Sequence, residues 1–306
     1  MKSLKETYKK IKNLEIQGAT AVAKTILLSL KEYGLNLKTK NISDWTNKIK
    51  QAGEYLLSAR PTEPMAINGV KFTLKTISNN KPKTILQAKD CLEKGVNDFL
   101  ILMEDAGLKI ILYGQKIIKN NNKIFTHCHS WLVEQILIKA RKNGKKFQVF
   151  NTETRPLFQG HITAKKLLRA NIPVTMVADS AAGFFISKHS GDKFNIDKVL
   201  IGADAILKQG DVINKIGSFT ISSVAYSEKI PVYIAAPLLK FHSKSWIKIE
   251  KRDPKEIWEN APKKIKIINL AFDKIPSKYL KGIICEAGII KPEQAYFYAK
   301  KFYPWI

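Results

Sequence analysis

The chain has 306 residues, 45% of them hydrophobic, and its 52 Lys and Arg outnumber 26 Asp and Glu, a formal net charge of +26 at pH 7. That length and apolar content suit one large packed domain or two smaller ones and exclude a disordered chain. Three widely spaced cysteines, Cys91, Cys128 and Cys285, do not make a disulfide framework.

No apolar run approaches the roughly 18–20 residues that cross a bilayer, so no membrane partner is expected. The opening MKSLKETYKKIKNLE is charged and lacks the apolar centre of a signal peptide, which with the cysteine usage points to the cytoplasm. A charge of +26 invites a nucleic-acid reading, but the lysines are spread along the chain without a dense basic run. A diffuse solvated surface, useful at most for drawing in phosphorylated small molecules, is the better reading.

In chain order, the first third predicts helices. Val22, Ile26 and Leu30 recur at helical spacing in residues 18–33, with Gly34 placed as a stop. A second helix is predicted from an N-cap at Ser43 through Trp45, Ile49, Ala52 and Leu56, ending at Arg60-Pro61. A third spans residues 84–118 with a break near Gly107, and the polar run Lys119–Lys123 reads as a boundary loop. From there, apolar strand-like runs alternate with helical segments: KIFTHC, FQVFNT, PVTMVAD, KVLIGADAI and PVYIAAP. The expected architecture is α/β: an N-terminal, mainly helical domain (1–119), then a Rossmann-like domain (120–306) with a parallel sheet covered on both faces.

Ligands of such sheets sit at the carboxyl ends of the strands. Those ends are rich in polar residues here: Thr126–Ser130, Asn151–Pro156 with Gln159-Gly160, Asp179-Ser180, Gly202–Asp204, Asn214–Ser218 and Lys240. His127, Cys128 and His129 suit zinc by type, but on an extended strand alternate side chains face opposite sides, and no second ligand pair supports them. No metal is expected. Cys128 precedes a helix led by Ser130, a setting that favours a thiolate. Asp204 leaves a strongly apolar strand, where burial would raise its pKa and suit it to proton donation. Arg155, Lys215 and Lys240 are candidate phosphate-binding cations, and the helix start after Asn214-Lys215 is a candidate phosphate seat. GxGxxG is absent, which disfavours a dinucleotide. On these residues alone, proton transfer on a phosphorylated sugar is one of several chemistries that fit.

The segments Thr152–Pro156 with Gln159-Gly160, Ile201–Ile206, Gly210–Ser218 and Pro231–Tyr233 resemble a known family. It unites the alpha, beta and delta regulatory subunits of translation initiation factor 2B, methylthioribose-1-phosphate isomerase and archaeal ribose-1,5-bisphosphate isomerase. Glu15–Ala19, Ser58–Thr62 and Cys285–Gly288 extend the resemblance over nearly the whole chain. The pairing of Cys128 with Asp204, and THC followed by His129-Ser130, are most similar to the bisphosphate isomerases.

The resemblance implies conversion of ribose 1,5-bisphosphate to ribulose 1,5-bisphosphate in nucleotide salvage, without metal or organic cofactor, by a homo-oligomer built as a dimer or trimer of dimers. Cys128 and Asp204 would be catalytic. Gln17, Gly18, Ala19, Thr20, Arg60, Ser130, Arg155, Asn214, Lys215 and Lys240 would bind the phosphorylated pentose. The family usually has arginine where this chain has Gln17, and a neutral amide does not replace a guanidinium on phosphate. A noncatalytic binding role like that of the initiation-factor subunits, and methylthioribose 1-phosphate as the substrate, are the alternatives.

Overall fold

A computed structural model describes residues 2–190 and 194–306. They form two compact units: the chain up to Asp105 with Tyr303–Ile306, and Ala106–Phe302.

The first unit holds α1 (Lys2–Lys12), α2 (Ala19–Asn36), α3 (Ile42–Leu57), α4 (Pro64–Asn80) and the start of α5 (Ile85–Ile117). Val22, Ile26, Leu30, Trp45, Ile49 and Leu56 are fully buried, so the helical repeats do face a core. Gly34 does not stop α2. It lies inside the helix, where a Cβ would come within 2.2 Å of Leu92 and 2.8 Å of Ile49. Its carbonyl accepts a hydrogen bond from the Trp45 indole at 3.1 Å. Close packing, rather than termination, requires this glycine. Asn41, not Ser43, caps α3, accepting from the Asp44 N–H at 2.8 Å, and the helix already ends at Leu57. α5 runs without a break through Gly107. A Cβ on Gly107 would lie 3.3 Å from the Trp131 ring, so the residue makes room for an indole instead of breaking the helix. The division between the two units falls inside this helix, between Asp105 and Ala106, whereas the sequence reading expected it after residue 119.

The second unit continues with β1 (Lys123–Thr126), α6 (Trp131–Lys142), β2 (Gln148–Thr152), α7 (Gln159–Arg169), β3 (Val174–Val177) and α8 (Ala182–Ile186). Next come β4 (Lys198–Ile201), β5 (Ala205–Leu207), β6 (Val212–Lys215), α9 (Ser218–Ser227), β7 (Val232–Ala235) and β8 (Phe241–His242). It closes with β9 (Phe272–Ile275), β10 (Gly282–Cys285), β11 (Gly288–Ile290) and α10 (Ala295–Phe302). Seven strands form one sheet in the order β11-β10-β7-β4-β1-β2-β3, parallel except for the β10–β11 pair. Ile124, Val149, Leu200 and Ile284 pack with Ile136 and Leu137 of α6 and Leu167 of α7 in a fully buried cluster. This is why these strands read as continuous apolar runs.

The run KVLIGADAI is not one strand. It breaks at Gly202–Asp204, passing from β4 into β5 of a second sheet, ordered β8-β5-β6-β9. Gly202 permits this turn: a Cβ there would sit 2.7 Å from the Ser130 hydroxyl. In the large sheet the chain proceeds from β1 through β2 to β3 on one side, and from β4 to β7 on the other. The strand order therefore reverses between β1 and β4, where open α/β sheets leave a crevice. Cys128 follows β1 and Asp204 follows β4.

Candidate active site

β1 ends at Thr126, and the next residues turn away from extended geometry. Cys128 adopts φ 65, left-handed backbone that costs a non-glycine residue about 1–3 kcal/mol. Two threonines hold it there. The Cys128 N–H donates to the Thr154 hydroxyl oxygen at 3.0 Å, and the Thr163 hydroxyl donates to the Cys128 carbonyl at 2.8 Å. Thr154 is itself left-handed, at φ 63. The carboxylate of Asp179 secures it, accepting the N–H of Thr154 at 2.9 Å and of Arg155 at 2.6 Å. Strand alternation therefore does not order the side chains of residues 127–129, contrary to the expectation from an extended strand.

The two histidines face separate structural partners. His127 is 2% exposed. Its Nδ1 lies 2.6 Å from the Thr152 hydroxyl and its Nε2 lies 2.8 Å from the Ile216 carbonyl. A carbonyl only accepts, so Nε2 carries the proton and Nδ1 accepts from Thr152. His129 Nδ1 donates to the Thr163 hydroxyl oxygen at 3.1 Å, beside the Glu134–Lys166 ion pair of 3.2 Å.

Burial pushes the His127 pKa down to about 4. The folded protein then binds fewer protons at this site than the unfolded chain between pH 6.5 and about 4. Stability present above pH 6.5 is lost as the pH falls through that window, by up to about 3 kcal/mol. Melting temperatures across this range are expected to fall more steeply for the wild type than for His127→Gln. Equal slopes would show that the imidazole is not held neutral.

Burial also pushes the Cys128 thiol up to about 11; the Lys215 charge opposes the shift, while Asp204 and Asp179 add to it. The thiolate expected beside a helix start is thus not the resting form, because desolvation outweighs the neighbouring cation. Lys215, Asp204 and Asp179 are thus the charges that act on this sulfur. Asp204 is half-buried, and its N–H donates to the Ile213 carbonyl at 2.8 Å, tying it to β6. Lys240 is buried, with Nζ donating to the Ala203 carbonyl at 2.5 Å, one residue from Asp204. Glu286 holds the segment carrying Lys240 by accepting the Leu238 N–H at 3.0 Å.

Lys215 ends β6 with its ammonium 5.3 Å from the Phe272 ring centroid. Asn214 donates to the Ser218 hydroxyl oxygen at 2.8 Å. The phosphate seat expected at the start of α9 is already occupied by a carboxylate. Asp273 accepts the N–H groups of Gly217 at 2.7 Å and Phe219 at 3.0 Å. Burial raises its pKa to about 6 despite these bonds. Ser130 caps α6, accepting the Val133 N–H at 3.4 Å. Arg155 is exposed, with its guanidinium 4.9 Å from the Phe158 ring centroid. The Trp131 indole is 45% exposed and lies toward Gly107 of α5.

The candidates Cys128, Ser130, Arg155, Asp204, Asn214, Lys215 and Lys240 all belong to the second unit, Asn214 and Lys215 in the last residues of β6 and the others in the segments that follow strands. Gln17, Gly18, Ala19, Thr20 and Arg60 belong to the first. There Gln17, Gly18 and Thr20 are exposed, Gly18 has φ 84, and buried Ala19 opens α2. Arg60 is buried and pairs with Glu63 at 2.9 Å. Sequence reasoning did not single out Thr163, Glu63 or Asp273. Thr163 and Asp273 act on residues 35 and 56 positions away, which leaves no local pattern, whereas Glu63 pairs with Arg60 only three residues before it.

A thiol after β1 and a carboxylate after β4 of the large sheet, with Lys240 after β7 and Lys215 at the end of β6 of the small sheet, define an α/β protein with a polar site at its strand ends. The chain belongs to the initiation factor 2 subunit family, whose model matches residues 15–292. It is 39% identical to ribose 1,5-bisphosphate isomerase of Methanocaldococcus jannaschii, over 100% of this chain and 97% of that protein. It is 32% identical to methylthioribose-1-phosphate isomerase of Acetivibrio thermocellus, over 95% of this chain and 89% of that protein. The solved structure of the Pyrococcus horikoshii translation initiation factor eIF-2B superposes with a TM-score of 0.81 at 27% identity, covering 95% of this chain and 98% of that one. Among the described residues, no helix is long and apolar enough to cross a membrane.

Proposed function

We propose that the protein is an aldose–ketose isomerase that converts ribose 1,5-bisphosphate to ribulose 1,5-bisphosphate, acting as a homo-oligomer. The observation that carries this reading is the placement of Cys128 just after β1 and Asp204 just after β4, the two neighbouring strands at the switch point. Four relatives at 32–39% identity bear the name ribose 1,5-bisphosphate isomerase, which supports the choice of substrate.

The chemistry follows from the resting proton positions. Asp204 takes the Cys128 proton, producing the minor form in which a thiolate faces a carboxylic acid. The thiolate removes the proton from C2 while Asp204 protonates the ring oxygen as its bond to C1 breaks. This leaves a C1–C2 enol still bearing the C1 phosphate. Asp204 then takes the proton of the C2 hydroxyl, and Cys128 returns a proton to C1, giving the ketone and restoring the pair. Lys215 favours the thiolate and supplies positive charge for a phosphate.

Purified protein given ribose 1,5-bisphosphate is expected to form ribulose 1,5-bisphosphate, followed by phosphorus NMR, and to leave methylthioribose 1-phosphate unchanged. Turnover of the methylthio sugar alone would reassign the substrate. Turnover of neither, with specific retention on an initiation factor, would replace the enzyme reading with a binding one.

A further inference from the structure

We propose that His127 is a positioning residue that locks the Ile216-Gly217 turn, which directly follows Lys215, against the Cys128 loop, so that the Lys215 charge stays on the thiol. The imidazole has no part in the proton transfers above, yet it bridges three parts of the site. It follows β1 in the chain and is followed directly by Cys128. Its Nδ1 takes the Thr152 hydroxyl at the end of β2, and its Nε2–H grips the Ile216 carbonyl between Lys215 and Gly217.

The fit is close on the turn side. Gly217 has φ 100, and a Cβ there would meet His127 Cε1 and Nε2 at 3.3 Å. Any larger residue would push the ring and the turn apart. The turn's other end is fixed by Asp273, which accepts the Gly217 N–H at 2.7 Å. Lys215 is half-buried at the end of β6, paired with Phe272 of β9, and the Ile216 N–H donates to the Ala271 carbonyl at 3.0 Å; the hydrogen bond at the Ile216 carbonyl adds the tie from this strand end to the Cys128 side of the crevice. The charged groups acting on the thiol are Lys215, which favours the thiolate, and Asp204 and Asp179, which oppose it. Releasing the turn loosens the one favourable charge, on a lysine that stays paired in β6, and leaves the other two in place.

The test reads the thiol without any substrate. Iodoacetamide labelling of Cys128 is measured at pH 8.5 in the full chain carrying Cys91→Ser; Cys285 is fully buried. His127→Asn keeps an acceptor toward Thr152 but cannot reach Ile216, and is expected to label about 3–10-fold more slowly, each unit of thiol pKa being worth tenfold in thiolate. His127→Gln, whose amide N–H can reach the Ile216 carbonyl, is expected to restore the wild-type rate. Lys215→Met is expected to slow labelling equally, and His127→Asn added to it to slow it no further. Wild-type labelling of His127→Asn, equal slowing by Asn and Gln, or additive slowing in the double variant would overturn the proposal. Should His127→Asn fail to fold, Thr152→Val is read in the same assay; an unchanged rate overturns the proposal and a slower one supports it. In turnover, which rests on the substrate proposed above, His127→Asn should lower kcat for ribose 1,5-bisphosphate by about the same 3–10-fold as the labelling rate. Labelling needs no sugar, so a wrong substrate would leave that result standing.

Discussion

Cys128→Ser and Asp204→Asn are each expected to lower kcat for ribose 1,5-bisphosphate by about 10²–10⁴-fold, the range lost when a positioned proton-transfer group is removed. Both substitutions nearly preserve shape, so melting temperatures should stay within about 2 °C of wild type. The serine hydroxyl fits the space of the thiol but is a far weaker acid, so it gives up its proton to Asp204 far less readily. The asparagine amide cannot accept that proton at all. Because each group acts in the same exchange, the double variant should be little worse than either single one. A Cys128→Ser protein with full activity would remove the thiol from the mechanism.

The second large effect concerns stability. Gly160, near the start of α7, crosses β2 so closely that a Cβ would fall 1.8 Å from the Thr152 carbonyl oxygen and 2.9 Å from that of Glu153. Neither carbonyl can retreat easily. Thr152 is paired with Val177 in β3, and Glu153 accepts the Gly160 N–H at 3.2 Å. Gly160→Ala is therefore expected to destabilise the protein by about 3 kcal/mol or more, a fall in melting temperature of about 6–12 °C. Displacing this crossing would also disturb Thr154 and Thr163, which hold the Cys128 backbone, so residual activity should drop with stability. An unchanged melting temperature would show that α7 does not approach β2 this closely.

These two cases show what the sequence could and could not reveal. The Gln159-Gly160 pair stood out as part of a motif, but its reason is a backbone contact with Thr152 that no local rule signals. Strands β1, β2, β4 and β7 were readable because burial forces runs of Val, Ile and Phe; the edge strand β3 was also read although half of it is exposed, while β10 and β11 were not expected. The small second sheet was not, since β5 is only three residues long and continues the apolar run of β4. Gly34 and Gly107 were misread for one shared reason: glycine punctuates helices, but here each admits a large neighbour from another helix. The rim positions of Cys128, Asp204, Lys215 and Lys240 were legible from strand ends alone. The protonation state of Cys128 was not, because it depends on how much water the fold removes from the sulfur. The helix start after Lys215 looked open to phosphate because the carboxylate that fills it, Asp273, comes from a strand 56 residues beyond Gly217.

A crystal structure of the Cys128→Ser protein with ribose 1,5-bisphosphate bound is the most direct check on whether this sulfur and this carboxylate work on one sugar. C2 should lie about 3–3.5 Å from the side-chain oxygen at position 128, with the Asp204 carboxylate on the ring oxygen and a phosphate at Lys215. A sugar bound elsewhere, or one that meets position 128 with Asp204 out of reach of its oxygens, would contradict it.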